Sequence, residues 1–98
     1  MPTSQENRKY LFQCLEKVSS CYRLFDTVEY LLYLNSDKKI NLDYRKMKCT
    51  VLEAHAVLEK DPNLKKNDFV YINNQLEECK LHVKCVIEEI VEKTKKID

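Results

Sequence analysis

Residues 11–32 read LFQCLEKVSSCYRLFDTVEYLL. Within them Leu11, Cys14, Val18, Cys21, Phe25, Val28 and Leu32 recur at alternating steps of three and four. A strand would place apolar side chains at every second position, whereas a helix of about 3.6 residues per turn gathers this spacing onto one face. No polar residue interrupts the seam. The stretch therefore predicts a long amphipathic helix, about residues 5–34, whose apolar stripe needs covering.

Two breaks follow. NSDKK, residues 35–39, is polar and without period, and KDPNLKKND, residues 60–68, contains Pro62, which disfavours helical geometry at Asp61. A second helix is expected over about residues 41–60, with the seam Tyr44, Met47, Val51, Ala54 and Leu58 and Asn41 as its N-cap. A third is expected over about 67–96, with Phe69, Ile72, Leu76, Cys79, Val83, Val86 and Ile90 inward. Asn67 or Asp68 would cap it, unless Asp61-Pro62 opens it earlier. Short connections bring each helix back beside the last. The fold expected is all-α: one domain, residues 1–98, forming a three-helix up-down-up antiparallel bundle with parallel outer helices. Self-association would cover whatever apolar surface is left, in the manner of a coiled coil. Aligned seams place Cys21 near Cys79 and Val51, Phe25 near Val83 and Met47, and Leu11 near Phe69 and Leu58.

Composition agrees with this class. Glycine is absent and there are two prolines, so tight hairpins and phosphate-cradling loops lack their usual residue. A formal net charge of +1 gives no global pull toward nucleic acid or acidic membranes. The polar start MPTSQENRKY has no apolar signal core, and YLLYL, residues 30–34, is too short to span a bilayer. Five cysteines in a lysine-rich helical chain are expected to be reduced and intracellular, in cytoplasm or nucleus.

The densest cluster of reactive residues is CKLHVKC, residues 79–85. At about 100° per residue, Cys79, His82 and Cys85 fan out over a helix and do not converge on one tetrahedral ion. Cys14, Cys21 and Cys79 fall on the seams, where thiols act as small hydrophobes; Cys49 and Cys85 fall outside. Paired acids such as Glu77 and Glu78 sit on consecutive positions that face different directions. With no H-E-x-x-H and no glycine-rich or nucleophile-elbow motif, neither catalytic residues, nor a metal, nor a cofactor is expected.

Surplus apolar side chains remain. Tyr30, Tyr33 and Leu34 exceed what the first seam uses, and Leu81, Ile87 and Val91 do so on the third helix. These six are the expected partner-binding residues of a non-enzymatic docking or adaptor module that receives a helix or subunit, a second copy included. Lys38, Lys39, Arg45, Lys46 and Lys48, with Lys93, Lys95 and Lys96, make the same end basic and would steer an acidic partner. The alternatives are a nucleic-acid-binding bundle using Lys38, Lys39, Arg45, Lys46 and Lys48 and a thiol or metal protein using Cys79, His82 or Cys85.

Overall fold

The computed structural model describes residues 4–61 and 63–95. They form three helices, α1 (Ser4–Leu34), α2 (Lys38–Lys60) and α3 (Lys66–Lys95), with no strand among the described residues. The bundle is a rod, 58 × 17 × 16 Å. α1 and α3 run parallel and share the most extensive contact, with the shorter α2 antiparallel against both.

Each seam lies where its period puts it. Cys14, Val18, Cys21, Phe25 and Val28 of α1 are buried, while Leu11 and Leu32 at the seam's ends are half-covered. Every expected inward residue of α2 and α3 is buried except Cys79, which is partly so. No polar or charged residue is buried among those described, so apolar burial alone holds the core. Two weak thiol hydrogen bonds mark the register of α1 against α3. The Cys14 thiol donates to the Phe69 carbonyl at 3.5 Å and the Cys21 thiol to the Leu76 carbonyl at 3.7 Å. Carbonyls point toward a helix's C-terminus and side chains lean toward its N-terminus. A thiol above the Leu76 carbonyl therefore belongs to the Leu76–Cys79 turn, the layer expected for Cys21. Tyr10 stacks on Phe69 from the turn below Cys14, and Phe25 meets Tyr44 edge-on at 5.5 Å, one turn from Met47.

The helix ends differ from expectation. α2 starts at Lys38 because Asp37, not Asn41, is its N-cap: Asp37 is extended, and its Oδ1 accepts the Ile40 N–H at 3.0 Å. The earlier start adds Ile40 to the buried seam. α3 starts one residue before Asn67, and Asp68 sits inside its first turn, where its carboxylate reaches back to accept the Lys65 N–H at 2.9 Å. That is the return arm of a capping box. Asp61 closes α2 and does not open α3: it is extended, its N–H bonds the Val57 carbonyl, and its side chain accepts the Asn63 N–H. Pro62, and the expected end of the third helix at Lys96, lie outside the described residues. No helix among the described residues is long and apolar enough to cross a membrane.

Candidate partner-binding surface

The thiols divide by burial. Cys14, Cys21 and Cys79 all have pKa values raised chiefly by burial, Cys21 to about 11, where the neighbouring Cys79 adds to the effect. They are protonated packing groups at neutral pH, free and without disulfides. Cys49 and Cys85 are exposed, as is His82. No three His, Cys, Asp or Glu side chains among the described residues stand close enough to hold a metal ion.

A polar chain of Tyr22, His55 and Glu59 links α1 to α2. The Tyr22 hydroxyl lies 2.9 Å from His55 Nδ1, and His55 Nε2 lies 2.9 Å from Glu59 Oε1. A carboxylate only accepts, so a neutral His55 carries its proton on Nε2 and its Nδ1 accepts from Tyr22. Burial, then Glu59, raises the Tyr22 pKa, so the hydroxyl stays a donor and not a nucleophile. The arrangement clamps two helices. Sequence spacing shows the His55–Glu59 step, but only the fold supplies Tyr22.

The end where α1 meets the start of α2 is where apolar and basic residues gather. Tyr30, Tyr33 and Leu34 keep 64%, 86% and 62% of their surface in water, unusual values for large apolar side chains in sequence. Beside them a recess of about 370 Å³ is lined by Leu32, Tyr33, Asp37, Tyr44, Arg45 and Lys48 among others. Its floor is the ring of buried Tyr44, flanked by Glu29 and by Lys48, which pair at 3.1 Å. The Tyr44 hydroxyl faces that pair without a hydrogen bond of good geometry. Burial and the nearby Glu29 carboxylate push it up to about 12, while Tyr44 and Lys48 hold Glu29 below the usual carboxylate range.

The third helix contributes less than its sequence suggested. Ile87 is partly buried and packs on the core, because it lies within about 60° of the α3 seam on the side α1 covers. Val91, on the same side, is exposed only at the margin. Leu81 is 53% exposed, but it points away from the core and sits about 15 Å below Val91 along the helix, so it stands apart from the α1 end.

The basic cluster is also thinner than its sequence. Lys48 pairs with Glu29, Lys93 with Asp37 and Glu89, and Lys95 with Glu92; Lys96 lies outside the described residues. Lys38, Lys39, Arg45 and Lys46 make no ion pair among the described residues.

Other exposed apolar residues escaped the sequence reading. Val57 and Tyr71 flank a groove of about 420 Å³ between α2 and α3, with Ile72 at its base and Glu53, Asp61 and Asp68 along its rim. Leu42 and Leu52 stand on the outer face of α2. The signal for Leu42 and Leu52 is a second apolar repeat on α2, hidden behind the stronger inward one. No family model matches the chain, and no curated protein or solved structure matches it.

Proposed function

We propose that this protein is a non-enzymatic docking module that receives a partner helix or subunit on the apolar end of α1. The observation that carries this reading is the run of Tyr30, Tyr33 and Leu34, each more than three-fifths exposed and close together at one end of α1. Exposed contiguous apolar area rimmed by polar groups favours protein contact, and tyrosine gives large contact area for little side-chain entropy. Arg45 on the recess wall, with Lys38, Lys39 and Lys46 in the same first turns of α2, favours an acidic partner and speeds its encounter. Four cations without an ion pair among the described residues, spread over a wide arc of α2 in a nearly neutral chain, support protein docking better than a phosphate track.

Site-specific photo-crosslinking in the native cell tests the proposal. A photoreactive phenylalanine analogue at Tyr33 should give a discrete protein adduct, which the same group at Glu16 should not. Adding Leu34→Asp should remove the adduct. A Tyr33 probe that yields no adduct, or only nucleic acid, would refute the reading.

A further inference from the structure

The groove between α2 and α3 lies at the opposite end of the rod from Tyr33, and its rim carries one sign of charge. Glu53, Val57 and Asp61 follow one another at single turns of α2, and Asp68, Tyr71 and Gln75 do so on α3. Val57 and Tyr71, both exposed, stand on the two walls above buried Ile72. The ends of the groove are acidic: Asp61 and Asp68 flank the connection between the helices, and Glu53 stands about 12 Å away along α2. Among the described residues no cation lines the groove, and none of these three carboxylates makes an ion pair. Lys60, Lys65 and Lys66 belong to the same end of the bundle but lie outside the lining. Asp61 and Asp68 each give one oxygen to a backbone N–H and keep the other. The Gln75 side-chain amide donates to the Tyr71 hydroxyl at 3.1 Å, which restrains the ring along its wall.

We propose that this groove docks a basic amphipathic helix of another protein, one that carries an apolar side chain between two lysines or arginines about two turns apart. Charge selects this occupant. Carboxylates at both ends of an apolar floor complement cations on both sides of an apolar contact, and they repel nucleic acid and acidic lipid. A single small cation reaches one end only, whereas two basic side chains about 11 Å apart on a helix reach both. Val57 and Tyr71 take the apolar residue between them, and the Tyr71 ring also offers its face to a neighbouring lysine or arginine. The basic end of a second copy is a poorer occupant, because Glu29, Asp37 and Asp43 accompany its lysines. The contact spans few helical turns, so binding is weak and falls with salt. It goes beyond the docking reading, uses the other end of the rod and shares no residue with that surface.

Fluorescence polarisation and NMR amide-shift mapping of the full chain test the proposal with a labelled synthetic peptide of about 15 residues. It carries lysine at every seventh position, paired leucines midway between and alanine elsewhere; a counterpart has glutamate for each lysine. The lysine peptide should bind at least about tenfold tighter than the glutamate peptide, and it should shift the amides of Glu53, Val57 and Tyr71. The triple variant Glu53→Gln, Asp61→Asn, Asp68→Asn removes the charge, while asparagine still accepts the Asn63 and Lys65 N–H groups. It should weaken binding about tenfold, and Tyr71→Ala about fivefold, with circular dichroism unchanged in both. Tyr33→Asp, at the other end of the rod, should leave peptide binding unaltered, so this proposal and the docking reading fail separately. Equal binding of the two peptides, undiminished binding by the triple variant or shifts confined to the Tyr30–Leu34 end would overturn the proposal. So would spermine binding at the same amides as tightly as the peptide, which would make the groove a site for small polycations.

Discussion

Phe25→Ala strikes the layer where all three helices meet. Phe25 is 2% exposed, sits edge-on to Tyr44 at 5.5 Å and tilts against Tyr22 at 6.2 Å. Truncating a fully buried phenylalanine costs about 3–5 kcal/mol from lost transfer energy and the cavity left behind. The ring contacts, about 0.5–1.5 kcal/mol each, push the value toward the upper end of that range. A domain of this size holds roughly 5–15 kcal/mol in all, so the substitution removes a large share of its stability. Urea unfolding followed by far-UV circular dichroism reads the change as a lower midpoint at unchanged slope. If the alanine variant is already unfolded without urea, Phe25→Leu, expected to cost about 1 kcal/mol, keeps the measurement on scale. Tyr33→Ala, at a largely exposed position, should stay within about 0.5 kcal/mol of wild type. A Phe25→Ala cost below about 1 kcal/mol, or one equal to that of Tyr33→Ala, would refute the three-helix layer.

Further expectations follow from the caps and titrating groups. Asp37→Ala should lower the melting temperature more than Asp37→Asn, because asparagine still accepts the Ile40 N–H while alanine caps nothing. Cys21 is an acid whose pKa rises from 9.0 to about 11 on folding. Its stabilising contribution is complete below pH 9.0 and is lost as pH climbs toward 11, so urea midpoints should fall across that window and fall less steeply in Cys21→Ala. Lys17 lowers the pKa of Glu77, so that pair's contribution is present above the ordinary carboxylate pKa and fades as pH falls through the folded value. Glu77→Gln should flatten the acid limb of a stability–pH curve.

The seams were legible because burial on a helix imposes its own period, and Val18, Val51, Leu76 and Val83 lie where that period alone puts them. Helix starts were less so. Asp37 caps α2 from within a polar run, and the only apolar marker of that early turn is the single residue Ile40. The flanks were least legible. A seam says which way is in, but whether Ile87 is covered depends on which side of α3 the first helix occupies. That handedness comes from packing three helices together, and no one helix encodes it. The same gap hid the Tyr22–His55–Glu59 chain, which needs α1 and α2 side by side. Tyr30, Tyr33 and Leu34 could be picked out because the end of α1 is apolar nearly all the way round, so no choice of neighbour could bury them all.

The central claim is that α1 and α3 lie side by side with their matched stripes, thiols included, hidden from water. Timed alkylation of dilute native protein, read residue by residue by mass spectrometry, tests it directly. Cys85 should label within the mixing time, while Cys14 and Cys21 should stay unlabelled until urea unfolds the chain. Labelling of Cys21 as fast as Cys85 in the native protein would contradict the account.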